Sequence, residues 1–206
     1  VDPERLKRIL ITHFHADHVG DLVALLWILQ LTPLWQGQRS LKIVGGKGIR
    51  NFTNNVLKVT HFPSQLQNVR LTFKALGDST VFEDITACKT LHSPVNLAYR
   101  ITRGGRSFCF TGDTGYYEPL TAFARGCTAL IHEAVFPSDQ EALARRTNHS
   151  TAADAGRIAH LAGVEKLVLT HISSLSGSDV PTLIKEAKRE FGGEVIAAED
   201  FLTLTI

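Results

Sequence analysis

Thr12-His13-Phe14-His15-Ala16-Asp17-His18 gathers three imidazoles and a carboxylate directly behind the apolar run Arg8-Ile9-Leu10-Ile11. Imidazole and carboxylate are the protein ligands of a zinc-class ion, and a catalytic ion keeps a coordination position open for water. Residues 8–12 read as a buried strand. Alternation then puts the side chains of 13, 15 and 17 on one side of an extended segment, and His18 starts the turn into a helix. A histidine-rich loop without metal is the plain alternative. The His-x-His-x-Asp-His spacing at the C-terminal end of a strand favours the metal.

Working outward, other polar residues stand where apolar runs end. His92 lies in Leu91-His92-Ser93-Pro94, Asp113 in Thr111-Gly112-Asp113-Thr114 and Glu133 in His132-Glu133-Ala134. His149 lies in Asn148-His149-Ser150-Thr151, and His171 closes the run from Val164. Each alone has an ordinary reading: a turn histidine, a turn aspartate bonded to backbone amides, a helix-start histidine, a polar strand end. His61 has no ligand-like spacing and reads as a surface or packed histidine.

The intervening chain alternates strands, helices and hairpins. Val19–Gln30 predicts a helix apolar all round, hence buried on most sides, with Pro33 marking its end. Residues 41–44 predict a strand, Gly45-Gly46-Lys47-Gly48 a turn and 49–59 a helix. The Gly-Lys-Ser/Thr ending of a phosphate loop is absent there. Half-buried strands follow at 69–75 and between 80 and 91. Residues 96–101 and 106–110 form a hairpin turned at Gly104-Gly105. A helix near 117–125 and a strand near 128–132 come next. Thr151 and Asp154 then open a helix to about 162 in the manner of a capping box. A strand over 164–171, a helix near 179–190 and two terminal strands complete the pattern. Two sheets flanked by helices fit it better than one parallel sheet, in a single domain over 1–206.

At 206 residues the chain can bury a sizeable core, and 44% hydrophobic residues with a net charge of +2 are ordinary for a globular protein. That charge neither demands nor excludes a nucleic-acid partner. Cys88, Cys109 and Cys127 are far apart with no Cys-x-x-Cys pair, and Cys109 and Cys127 fall in or beside apolar runs, so buried reduced thiols and a cytoplasmic setting are expected. The longest apolar run, Leu22 to Leu29, is too short to span a bilayer, and no membrane partner is expected.

The opening stretch and four later segments, in this order, resemble the metallo-β-lactamase superfamily over nearly the whole chain. The resemblance implies an α/β, four-layer αββα sandwich and two divalent ions, zinc before manganese or iron. It implies that His13, His15 and His92 bind one ion, that Asp17, His18 and His171 bind the other, and that Asp113 bridges them. Superfamily members place strands ahead of the first motif. Here it follows only twelve residues after a start on Val1, in a chain with no methionine. An additional N-terminal portion is therefore expected.

Within the superfamily, ribonuclease Z and its phosphodiesterase relatives resemble this chain most. They share Leu97-Ala98-Tyr99-Arg100-Ile101, His132-Glu133-Ala134, His149-Ser150-Thr151-Ala152 and Leu169-Thr170-His171-Ile172-Ser173. The resemblance implies phosphodiester hydrolysis by a metal-activated hydroxide, with Asp17 orienting the water. His149 would help protonate or stabilise the leaving oxygen, and Glu133 would hold that imidazole in place. The leaving alkoxide of a diester needs such a proton. The transfer-RNA arm of that family has no room between His92 and Asp113, an interval filled by the hairpin. RNA therefore stays within the substrate class without a mark for transfer RNA. Arg100, Arg103 and Arg106 around the hairpin read as a solvated turn before a phosphate contact. A carbonyl hydrolase acting on lactones, thioesters or β-lactams is the alternative, followed by a non-catalytic metal protein. A homodimer is implied by the resemblance alone.

Overall fold

The computed structural model describes residues 5–31, 39–62, 69–173, 177 and 179–205. The chain forms two compact units, Val1–Gly77 and Asp78–Ile206. In the first, β1 (Arg8–Leu10), β2 (Arg39–Gly45) and β3 (Val69–Ala75) make a parallel sheet in that order. Parallel neighbours require long crossovers. The first contains α1 (Ala16–Val19) and α2 (Asp21–Leu31), the second α3 (Ile49–Val59).

On α2, Leu22, Leu26 and Leu29 recur at helical spacing and are buried with Ile11, Leu41 and Ile43. Ile28 and Leu31 are 52% and 66% exposed, which corrects the expectation of burial on most sides. The helix also starts later than expected, because the chain first closes a separate turn in which Gly20 N–H donates to Ala16 O at 2.7 Å. Pro33 lies outside the described residues. Gly45–Gly48 is a strand-to-helix turn, with Gly48 capping α3 at φ 95°, a region that suits glycine. His61 is exposed just beyond α3.

The second unit is a seven-stranded mixed sheet in the order β10-β9-β8-β7-β6-β5-β4. Its strands are β4 (Val81–Phe82), β5 (Ile85–Lys89), β6 (Leu97–Arg103), β7 (Arg106–Phe110), β8 (Ala129–Glu133), β9 (Lys166–Thr170) and β10 (Glu194–Ala197). The predicted hairpin is β6–β7, with Gly104 and Gly105 at φ 57° and 79°. Its helices are α4 (Pro119–Phe123), α5 (Glu141–Thr147), α6 (Ala152–Ala162) and α7 (Val180–Glu190). The sequence pattern did not anticipate α5, and a single terminal strand, β10, stands where two were expected, residues 198–205 forming none.

One face of this sheet (Ala98, Cys109, Leu130 and Leu169) packs with Ile158 of α6 and Leu183 of α7 in one core. α6 and α7 meet closely at Gly156, where a Cβ would lie 2.4 Å from Ala187 O. The cysteines are free thiols, with Cys109 and Cys127 buried. Burial, then the Asp78 carboxylate, pushes the Cys88 thiol up to about 11, so it is not poised as a nucleophile. Among the described residues no helix is long and apolar enough to cross a membrane.

Strand direction positions the chemistry. β6 is antiparallel to β5 and β7, while β8 and β9 are parallel to β7. β5, β7, β8 and β9 therefore point the same way, and their C-terminal ends share one edge. His92 follows β5, Asp113 follows β7, Glu133 ends β8 and His171 follows β9. The C-terminal edge of such a sheet is where ligands bind in α/β proteins.

Candidate metal and proton-transfer site

In the first unit the loop after β1 brings together its histidines and aspartate. The His13 ring centroid lies 4.5 Å from that of His15 and 4.1 Å from that of His18. Asp17 Oδ2 is 3.4 Å from His18 Nε2. His13 is buried, with Thr12 Oγ1 3.2 Å from its Nδ1. His15 is extended, at φ −67° and ψ 152°, and caps α1. Asp17 and His18 then lie on a helical turn, so Asp17 does not continue the extended alternation predicted for it. Phe14, between the two histidines, stacks on Phe52 of α3 with centroids 4.5 Å apart and planes 6° apart. That contact anchors the loop to the unit's core.

In the second unit, His92 Nε2 and His171 Nε2 approach the same oxygen, Asp113 Oδ2, at 3.7 and 3.4 Å. Such lengths exceed ordinary hydrogen bonds and suit atoms facing a common centre. His92 Nδ1 lies 3.0 Å from Asn148 O. A carbonyl only accepts, so Nδ1 carries the hydrogen and Nε2 keeps its lone pair. Metal-ligating histidines are fixed in this way by an outer partner. Asp113 is buried, and Asn96 Nδ2 donates to its carbonyl at 2.6 Å. Two imidazoles facing one buried carboxylate, one of them with its donor nitrogen fixed by a carbonyl, fit a divalent ion of the zinc class.

Beside this group sits the pair Glu133–His149. Glu133 is fully buried. Its Oε1 accepts from Thr114 N at 2.6 Å and faces His149 Nδ1 at 2.9 Å, and its Oε2 accepts from Ser150 N at 2.9 Å. Three donors satisfy a charge that burial would otherwise penalise. With Nδ1 facing Glu133, Nε2 is the other ring nitrogen of His149. The His149 ring lies 4.7 Å from that of His92 and 5.7 Å from that of His171.

Thr114, Ser150, Asn96 and Asn148 were not singled out from sequence. Ser150 Oγ donates to Thr114 O at 2.7 Å, and Leu91 N donates to Thr114 Oγ1 at 3.2 Å. These residues fasten the loops carrying His92, Asp113, Glu133 and His149 to one another. The small hydroxyl residues of Thr-Gly-Asp-Thr and His-Ser-Thr were the available signal. The hairpin arginines are partly structural. Arg100 donates to the carbonyls of Phe123 and Arg125, and Arg103 pairs with Asp84 at 2.7 Å.

The model of a β-lactamase superfamily domain matches residues 1–172. The "probable metallo-hydrolase YhfI" of Bacillus subtilis is 30% identical over 210 residues, covering 97% of this chain and 78% of that protein. A ribonuclease Z of Bacillus velezensis is 29% identical over 262 residues, covering all of this chain and 83% of that protein. The crystal structure of the metallo-β-lactamase fold protein YhfI from Bacillus subtilis superposes with a TM-score of 0.78 at 27% identity, over 97% of this chain and 77% of that one. The short form of human tRNase Z shares the fold, with a TM-score of 0.76 at 24% identity, over 100% of this chain and 81% of that one. The metallo-β-lactamase fold expected from the sequence is therefore borne out. With a family model matching most of its length, the chain belongs to the β-lactamase superfamily.

Proposed function

We propose that this chain is a hydrolase of phosphodiester bonds that works with two divalent ions. His13, His15 and His92 would hold one, Asp17, His18 and His171 the other, and Asp113 would be shared. Zinc suits this imidazole–carboxylate set best, with manganese or iron as substitutes. Bound there, the ions would lower the pKa of water and offset negative charge on a phosphoryl oxygen. The chain's own groups supply the rest. Asp17 orients the attacking water, and His149 delivers a proton from Nε2 to the leaving oxygen. Glu133 keeps the imidazole aimed and its Nδ1 protonated.

The observation that carries this reading is the buried Glu133 carboxylate 2.9 Å from His149 Nδ1, at the sheet edge shared with Asp113, His92 and His171. Departure of an alkoxide from phosphorus needs a proton donor at that location. The relatives named ribonuclease Z support a diester substrate. The alignment to one of them runs over 262 positions, well beyond the 206 residues here, whereas that to YhfI runs over 210. RNA or a smaller diester without transfer-RNA selectivity fits that difference.

Hydrolysis of bis(p-nitrophenyl) phosphate by the zinc-loaded protein is the test. His149→Ala is expected to lower kcat by about 10²–10⁴-fold while metal content per chain stays unchanged. Undiminished diester cleavage in that variant, or cleavage of lactones with none of diesters, would overturn the proposal.

A further inference from the structure

Asn148 is in the left-handed region, at φ 54° and ψ 45°. Side chains other than glycine enter it reluctantly, asparagine least so. Two things follow from this one conformation. It ends α5, with Asn148 N–H turned back on Arg145 O and His149 N–H on Ala144 O at 2.9 Å. It also swings the Asn148 carbonyl to 3.0 Å from His92 Nδ1. The next residue is His149, whose Nδ1 meets Glu133.

Asn148 packs beside Gly115 at ordinary contact distances. A Cβ added at Gly115 would sit 3.5 Å from the Asn148 Cα and carbonyl carbon, and 3.4 Å from the Leu91 side chain. Gly115 N in turn donates to Leu91 O at 2.8 Å.

We propose that Asn148 is a positioning residue whose left-handed backbone couples two imidazoles. Its carbonyl holds His92 in the tautomer that leaves Nε2 as the ligand atom, and the same turn seats His149 on Glu133. Rotation of Asn148 out of this region would take the carbonyl off His92 and displace His149 in one movement. Metal loading and proton delivery are therefore tied to a single backbone conformation. The His149 half rests on the function proposed above, whereas the His92 half concerns ligand geometry alone.

The experiment uses the full chain and the variants Asn148→Val, Asn148→Ala and Asn148→Gly. Zinc affinity is read by competition with a chromophoric chelator. The His92 tautomer is read by ¹⁵N NMR of the metal-free protein, and diester cleavage with bis(p-nitrophenyl) phosphate. Valine, β-branched and averse to the left-handed region, is expected to weaken zinc binding about 10–100-fold, to mix the His92 tautomers and to lower kcat. Alanine should show the same pattern more weakly, and it decides the matter if the valine variant does not fold. Glycine enters the region freely and should restore zinc affinity to within about threefold of wild type with one His92 tautomer.

Wild-type zinc affinity and an unchanged tautomer in the valine variant, or in the alanine variant where valine fails to fold, would overturn the proposal. So would a glycine variant as impaired as valine. A wild type that binds zinc with His92 in one tautomer, yet cleaves no diester, refutes the proposed function and leaves the His92 coupling standing.

Discussion

At the scale of single residues, Glu133 shows how much a buried carboxylate can organise. Its two oxygens serve two backbone amides and one imidazole with no exposure to water. Glu133→Gln keeps the shape but replaces one acceptor oxygen with an NH2 group that must face a donor. Leaving a buried donor unsatisfied costs about 1–3 kcal/mol. The variant is expected to unfold at lower denaturant and to lose diesterase activity with His149 misdirected. His149→Ala, which spares both backbone amides, should cost less stability. Parallel urea titrations of the two variants check this order. Glu133 and His149 were legible in the sequence because their chemistry lies in the side chain and their neighbours form a motif. Asn148 and Thr114 were not, because they act largely through backbone carbonyls and amides, which any residue possesses. Only the folded turn shows where those groups point.

Among the elements, the corner between α5 and α6 carries His149, and its stability has a distinct acid signature. Thr151 and Asp154 form the reciprocal cap that the sequence suggested. Asp154 also receives both guanidinium nitrogens of Arg145, at 2.7 and 2.8 Å. Burial alone would push the Asp154 carboxyl up, but Arg145 and the donors of Thr151 outweigh it and hold it below its ordinary value. A carboxyl depressed in the folded state contributes stability that is present above its unfolded pKa, near 3.8, and lost as pH falls through the folded value. Arg145 is 37% exposed, so solvent screens part of the pair. Asp154→Asn is therefore expected to cost about 1–2 kcal/mol at neutral pH and to show a shallower loss of stability below about pH 4, measured by urea unfolding across pH. The start of α6 was readable because a cap and an apolar stripe mark it. α5 was not, since seven residues give too little periodicity to separate a helix from a loop, and its Asn148 end is fixed by tertiary contacts.

For the molecule as a whole, strand direction rather than strand identity carries the meaning. Residues spread from His92 to His171 reach one edge only because β6 runs against its neighbours while β8 and β9 follow β7. The order of these segments was visible in sequence; their convergence depends on pairing between distant strands, which local patterns do not encode. The first unit supplies its histidines and aspartate from one short stretch, so their proximity was legible from spacing, whereas the helical turn that carries Asp17 and His18 was not. If the seven proposed ligands act as one dinuclear set, metal binding must stabilise the fold by linkage. A ligand at 100 times its Kd adds about 2.7 kcal/mol. Chelation should therefore lower the melting temperature, and zinc should restore it with two ions bound per chain. Asp113, approached by both His92 and His171, is the proposed shared ligand. Asp113→Ala should reduce zinc stoichiometry below two and abolish most of the zinc-dependent thermal shift, whereas His149→Ala should preserve both. Elemental analysis with thermal melts in the presence and absence of chelator measures the two together. Full stoichiometry in the Asp113→Ala protein would place the ions on other ligands.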